Sequence, residues 1–223
     1  MPHAHARRHA HEHALTRTRE RRHRLAHEAA RLMAEGGIRD YHQAKLKAAE
    51  RLGIHDDASL PRNREIEDAL REYQRLFAGE GHAEGLRARR EAALRALDFF
   101  APFDARLVGS VLDGTADANA AVALHLHAED PDAVPRFLED HGIPAEARAR
   151  RLRLDPQRLL DAPVWLFAAE DFTFDLTVLP SAVLRQAPLS GVDERPMRRA
   201  SASQLRALLA EDEISTYESS RQS

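Results

Sequence analysis

The chain has 223 residues, 43% of them hydrophobic, and a formal net charge of −3. That length allows one large domain, or a compact domain with helical additions. No apolar stretch approaches the ~18 residues that a membrane span needs, and no secretory signal follows the early arginines, so we expect no membrane partner. The absence of cysteine excludes disulfides and thiolate metal sites, and it fits a cytoplasmic location. The slightly negative charge argues against a chain coated by nucleic acid.

Nearly every cation is arginine, since lysine occurs only at Lys45 and Lys47. Together with abundant alanine, this usage is typical of GC-rich, bacterial-type coding sequences. The arginine content therefore does not by itself indicate phosphate recognition.

Residues 1–18 alternate histidine with alanine and arginine and offer little to bury. Such a segment cannot offset its ordering entropy, so we predict a disordered tail here. The histidines leave two interpretations open, a solvated tail that gains charge below about pH 6.5, or weak binding of a transition metal. They are His3, His5, His9, His11 and His13.

Residues 19–101 carry apolar residues at helical spacing and predict four helices. Asp40 has the properties of an N-cap for the second helix, and Gly53 those of its C-terminal stop. The fourth helix is predicted over residues 84–100, after a break at two glycines, and Pro102 ends it. We find no catalytic constellation in this helical region.

Residues 102–182 change to short alternating runs, which predict a small mixed β-sheet of about 4–5 strands with helices on one face. In the second strand Val122, Leu124 and Leu126 are apolar and are expected to face the core. The fold class is therefore α+β. The predicted strands cover residues 106–109, 120–128, 148–154, 164–168 and 172–179, with a helix over 130–140.

Residues 183–212 predict a long loop followed by a short helix, and residues 213–223 a polar tail. The loop, residues 185–201, has no helical or strand period. Loops of that length in a compact domain are often functional or disordered.

The stretch from Arg106 to Leu126 reads RLVGSVLDGTADANAAVALHL: a strand, a Gly-Ser turn, a loop and a second strand. It resembles the signature of the nucleotidyltransferase superfamily with the DNA polymerase β-like fold. In that pattern a Gly-Ser pair is followed about eleven residues later by Asp-x-Asp. Here those aspartate positions hold Ala121 and Ala123, so the resemblance is to a degenerate member.

The resemblance implies a phosphate-binding turn and a two-metal site for Mg²⁺. The turn would comprise Gly109, Ser110, Gly114 and Thr115. Asp175 matches the third metal-binding carboxylate. Because alanine offers no oxygen ligand, one carboxylate of three remains, and one carboxylate anchors two ions poorly.

Three readings of the metal site stay open. His125 and His127 share a strand face with the alanines and could bind a transition metal. Asp113 and Asp117 could swing in from the loop. Otherwise no competent two-metal site exists.

Three functions follow from these readings. The chain could bind a nucleotide, a nucleic-acid end or another phosphate-bearing ligand with little or no nucleotidyl transfer. It could be an active nucleotidyltransferase with an unusual metal cage, or a non-enzymatic α+β module that binds a protein. The first reading nominates five anion contacts: Arg151, Arg153, Arg185, Arg198 and Arg199.

Overall fold

The computed structural model describes residues 3–38, 40–54, 56–77 and 79–220, with side chains except at 3–14, 75, 77, 79, 80 and 215–220. The chain forms two compact units, Met1–Gly79 and Glu80–Ser223. The predicted α+β class is confirmed, because a helical N-terminal region precedes a five-stranded mixed sheet. Within the described residues, no helix combines the length and the apolar character that crossing a membrane requires.

The first unit is built from helices α1 (His3–Gly36), α2 (Tyr41–Leu52) and α3 (Asn63–Phe77). Both predicted ends of α2 are present: the Asp40 carboxylate accepts a hydrogen bond from the Gln43 amide at 2.7 Å, and Gly53 adopts a left-handed conformation. The core of the unit is rich in alanine, which lets the helices approach closely. Its buried apolar residues include Leu25, Ala29, Ala44, Ala48, Ile66 and Leu70.

Helix α1 begins at His3, whereas the composition predicts a disordered tail over residues 1–18. The physical basis for a helix is that residues 3–35 contain no glycine or proline and are rich in alanine, arginine and glutamate, which have high helix propensity. Residues 1 and 2 lie outside the described part of the chain. So do the side chains of the five histidines considered for metal binding there.

The second unit contains helices α4 (Gly79–Phe99), α5 (Ser110–Asp113), α6 (Ala133–Asp140) and α7 (Ala202–Ser220). Its strands are β1 (Arg106–Val108), β2 (Val122–His127), β3 (Glu146–Asp155), β4 (Arg158–Ala169) and β5 (Phe172–Leu179). The strand order is β1-β2-β5-β4-β3. Only β2 and β5 pair in parallel; the other neighbours are antiparallel.

Helix α4 belongs to this second unit, so a boundary near residue 101 does not separate the two parts of the fold. Its buried Ala93 and Leu97, together with Phe100 directly after the helix, join the core that contains Leu124 and Leu176 of the sheet. The predicted break at the two glycines is wrong, because α4 starts at the first of them and continues through the second. An apolar helix stripe shows that a helix packs, but it does not identify the packing partner.

The two faces of the sheet differ. One face packs against α4, α6 and α7 through a core that includes Leu97, Leu138 and Leu205, and the predicted inward residues of β2 lie in it. The opposite face, which we call the open face, carries the alternate residues of each strand. On it, Val108, Ala123, Asp175 and Leu166 lie side by side on neighbouring strands.

Residues 181–200, the crossing segment, contain all but the last residue of the predicted long loop. The Leu189 amide donates to the Arg153 carbonyl on edge strand β3, and Ala200 pairs with Leu107 on the other edge strand, β1. Val183 packs with Leu179 on the open face. The loop is therefore ordered and runs from one edge of the sheet to the other, and α7 continues through the predicted polar tail to Ser220.

Candidate functional site

The residues singled out by the motif meet on the open face. Ala123 on β2 lies directly beside Asp175 on β5 and beside Val108 on β1. Gly109 follows Val108, and a Cβ at Gly109 would lie 3.8 Å from the Ala123 Cβ. Ala121 immediately precedes β2. The strand register therefore brings the Gly-Ser turn, Ala123 and Asp175 together.

Gly109 has φ +74° and ψ −158°, a conformation that side chains with a Cβ almost never adopt. This backbone lets the chain turn sharply from β1 into α5. Ser110 is the first residue of that helix and is half-buried. Glycine is thus required at this position by the backbone alone.

Gly114 and Thr115 close the same turn from its far end. The Gly114 and Thr115 amides both donate to the Ser110 carbonyl. A Cβ at Gly114 would approach the Arg90 Nη2 at 3.5 Å and Leu86 at 4.0 Å. Gly114 therefore lies against α4, away from Ala123 and Asp175.

Arg90 holds this turn in place, and the sequence analysis did not identify it. Its side chain is buried, and its guanidinium donates to the carbonyls of Val111 and Leu112 and to the carboxylate of Asp212 on α7. A buried arginine requires such partners because an unpaired buried charge is costly. The only sequence signal is a polar residue between the apolar positions of α4.

Arg150, also missed, is the direct partner of Asp175. It lies on β3 and reaches across β4, so that Nη1 and Nη2 donate to the two carboxylate oxygens at 3.2 and 2.7 Å. Nη1 also donates to the Thr177 hydroxyl at 3.0 Å. The Asp175 side chain is 15% exposed and that of Arg150 41%. A guanidinium therefore neutralises the Asp175 carboxylate.

The open face has two halves. The exposed half consists of Gly109, Ala123, Leu166 and Asp175, which are all partly accessible. The covered half lies beneath the crossing segment and consists of buried side chains of β2 and β5. Its members are His125, His127, Thr177 and Leu179.

The two histidines considered as metal ligands lie in the covered half. His125 is 2% exposed, and burial, together with nearby His127 and Arg199, lowers its pKa to about 3. Burial also lowers the pKa of His127, whose Nδ1 lies 3.0 Å from the Asp104 carbonyl and donates to it. Both side chains are therefore neutral near pH 7 and packed into the fold.

The five nominated anion contacts do not converge. Arg151 pairs with Asp161, and this pair lies on the opposite sheet face from Arg150. Arg153 pairs with Glu194.

The remaining three lie on the crossing segment. Arg198 pairs with Asp113, and Arg199 donates to the Leu184 carbonyl. Burial lowers the pKa of Arg199. Arg185 is exposed and has no partner among the described residues.

No group of three or more His, Asp or Glu side chains in the described part of the chain is arranged to hold a metal ion. Asp113 is engaged by Arg198, and Asp117 accepts a hydrogen bond from the Asn119 amide. Both loop aspartates therefore have partners within the loop and the crossing segment, and neither joins Asp175 in a group of metal ligands. The Asp175 carboxylate is paired with the Arg150 guanidinium, a cation whose presence does not suit a bound Mg²⁺ ion.

Comparisons with protein-family models, with curated proteins and with solved structures found no match to this chain.

Proposed function

We propose that the exposed half of the open face binds the phosphate groups of a nucleotide or another phosphate-bearing ligand, with little or no nucleotidyl transfer. The observation that carries this proposal is that Ala123 lies beside Asp175 and that the Arg150 guanidinium reaches across β4 to pair with the Asp175 carboxylate. The resemblance to degenerate nucleotidyltransferases suggests the ligand class. The arginine supplies a cation at the place where that resemblance would put metal ions.

The geometry of Arg150 supports phosphate binding. A guanidinium has five N–H donors. Asp175 and Thr177 engage both Nη1 hydrogens and one Nη2 hydrogen. In the part of the chain that the structure describes, the Nε–H and the second Nη2–H have no partner, and they point to the same side, which is the arrangement that binds two phosphate oxygens at once.

Loss of transfer is the second part of the proposal. Attack on an α-phosphorus requires ions that activate the nucleophile and neutralise the leaving group. Ala121 and Ala123 offer no ligand, and Asp175 already has a permanent cation beside it. A fixed guanidinium can orient phosphates, but it does not lower the pKa of an attacking hydroxyl as a bound metal does.

Thermal denaturation with ATP, GTP, CTP, UTP or tripolyphosphate at millimolar concentration tests the binding part. We expect at least one of these to raise the melting temperature, since a ligand that binds only the native state stabilises it. Arg150→Ala should abolish the ligand-induced rise. Arg151→Ala is the matched control, because the neighbouring arginine lies on the other face, and it should leave the rise unchanged.

Incorporation of label from an α-labelled nucleotide tests the transfer part. We expect none with Mg²⁺ or Mn²⁺, whereas Ala121→Asp with Ala123→Asp should introduce metal-dependent stabilisation. Label incorporation by the native chain that Asp175→Asn abolishes would establish an active enzyme instead. If no phosphate compound shifts the melting temperature, the binding proposal fails and a protein-binding module becomes the better description.

A further inference from the structure

The second unit has an apolar hollow between α4 and the strands β4 and β5, on the sheet face opposite the open face. Its volume is about 220 Å³. The aromatic and aliphatic residues that line it, which we call the aromatic hollow, are Phe99, Phe100, Phe167, Phe174, Ile143 and Ala96. The buried Phe167 and Phe174 rings are nearly parallel, with their centroids 5.1 Å apart. Phe99 is 39% exposed and stands edge-on to Phe100.

Two opposite charges stand at the same hollow. Arg95 on α4 and Glu170 in the turn between β4 and β5 line it together, and the Arg95 Nη2 lies 2.5 Å from the Glu170 Oε2. The two side chains are 56% and 58% exposed. An ion pair this exposed to water contributes little to stability, so each partner can exchange the other for the charge of a ligand at low cost.

We propose that the aromatic hollow binds a free α-amino acid with an aromatic or large aliphatic side chain. Such a molecule carries a carboxylate and an ammonium group on one carbon, next to an apolar group. The carboxylate would pair with Arg95 and the ammonium group with Glu170, while the side chain would enter the hollow. A guanidinium binds a carboxylate through two parallel hydrogen bonds, which fixes its orientation.

The size and the lining of the hollow fit such a side chain. A cavity of about 150 Å³ lined by leucine, isoleucine and phenylalanine holds a benzene ring, so about 220 Å³ is enough for a phenyl or an isobutyl group. Phenyl rings also attract one another in edge-on and offset-stacked arrangements, and the phenylalanines of the hollow already pack in this way.

The pair of charges distinguishes an amino acid from other apolar ligands. A fatty acid would use Arg95 and would bring its carboxylate close to the Glu170 carboxylate, which repels it. An apolar side chain of a partner protein would fill the hollow but would use neither charge. Only a ligand with both charges beside its apolar group replaces both halves of the ion pair.

Calorimetric titration of the full chain with L-phenylalanine and L-leucine tests the proposal. Two analogues remove one charge each: phenethylamine lacks the carboxylate, and 3-phenylpropionate lacks the ammonium group. Both should bind about tenfold or more weakly than L-phenylalanine, since each loses a hydrogen-bonded charge pair. With Arg95→Ala, L-phenylalanine should bind no better than phenethylamine does. With Glu170→Gln, it should bind no better than 3-phenylpropionate.

Arg87→Ala is the matched control. Arg87 also lies on α4, but its guanidinium pairs with Glu91 and Glu213, and this substitution should leave amino-acid binding unchanged. Circular dichroism and melting show whether each variant stays folded. Arg150→Ala, which removes the proposed phosphate contact on the opposite sheet face, should also leave amino-acid binding unchanged.

Three results would overturn the proposal. The first is that neither amino acid binds at millimolar concentration. The second is equal binding of L-phenylalanine and its two analogues, which would indicate a purely apolar site such as a protein partner would use. The third is undiminished binding by a folded double variant, Arg95→Ala with Glu170→Gln.

Discussion

The two halves of the open face are formed by the same strands, and they differ in what covers them. Beneath the crossing segment β2 and β5 bury His127 and Leu179, whereas toward the other end the same strands present Ala123 and Asp175 with partial exposure. The comparison teaches that strand alternation places a residue on a face but does not decide whether that face is core or site. A segment distant in sequence makes that decision.

Substitutions in the covered half should lower the free energy of unfolding the most. Leu179→Ala removes a buried side chain that packs against Val183, and we expect a loss of about 2–5 kcal/mol in the free energy of unfolding. Leu159→Ala, at a mostly exposed position, should change it by less than about 0.5 kcal/mol. Urea denaturation measures both. Equal losses in the two variants would show that the crossing segment does not cover this half.

The covered half should also give the protein a pH dependence. The native pKa of His125 is about 3 and its unfolded value about 6.5, so the unfolded state binds more protons as the pH falls. Stability is complete above pH 6.5 and is lost progressively below it, by about 2 kcal/mol at pH 5. His127, whose pKa is also lowered by burial, contributes with the same sign.

Urea denaturation between pH 8 and pH 5 measures how steeply the free energy of unfolding changes with pH. His125→Gln should flatten it, even if the substitution lowers stability at every pH. A slope that is identical in the native chain and in this variant would mean that His125 is accessible to water, as the exposed half is.

In the exposed half, Gly109→Ala should cost about 1–3 kcal/mol because of its backbone conformation. The Cβ itself has ordinary room, at 3.8 Å from the Ala123 Cβ. Gly191→Ala on the crossing segment meets no atom within 4 Å and has no unusual φ, so it should be nearly neutral. Similar melting temperatures for the two variants would contradict the assigned turn.

The Arg150–Asp175 pair should have the smallest effect on the free energy of unfolding. As a partly exposed ion pair it is expected to contribute less than about 1 kcal/mol, measured by a double-mutant cycle with Arg150→Ala and Asp175→Asn. Ligand binding should respond far more strongly than stability. A coupling energy of several kcal/mol would mark the pair as a structural element of the core.

Local signals in the sequence predicted much of the fold. Asp40 and Gly53 delimit α2 through hydrogen bonds and a left-handed turn that depend on a few neighbouring residues, and the strict alternation of Phe172–Leu179 matches β5 at both ends. Alternation in β2 likewise predicted that Ala123 and His125 lie on one face of the sheet. Whether the Gly-Ser motif marks a nucleotidyltransferase relative stays a prediction.

The site was harder to predict because it depends on contacts distant in sequence. Alternation in β3 correctly places Arg151 and Leu152 on opposite faces of the sheet. The nomination of Arg151 and Arg153 as anion contacts, however, requires their face to be the one that carries the site. In the structure Leu152 packs within the cluster that includes Val183 of the crossing segment, and Arg150 shares the open face with it. The leucine side of β3 is therefore the side that carries the Asp175 partner.

Arg90 makes the turn after β1 dependent on α7, since its carboxylate partner Asp212 lies 122 residues after Arg90 in the chain. Its guanidinium ties the carbonyls of Val111 and Leu112 to the carboxylate of Asp212 on α7. A partner that drew α7 away would leave this charge without its carboxylate and would loosen the turn that holds Ser110. Binding of such a partner to α7 and binding of a ligand to the open face would then be thermodynamically linked. Each would alter the affinity of the protein for the other by the same factor.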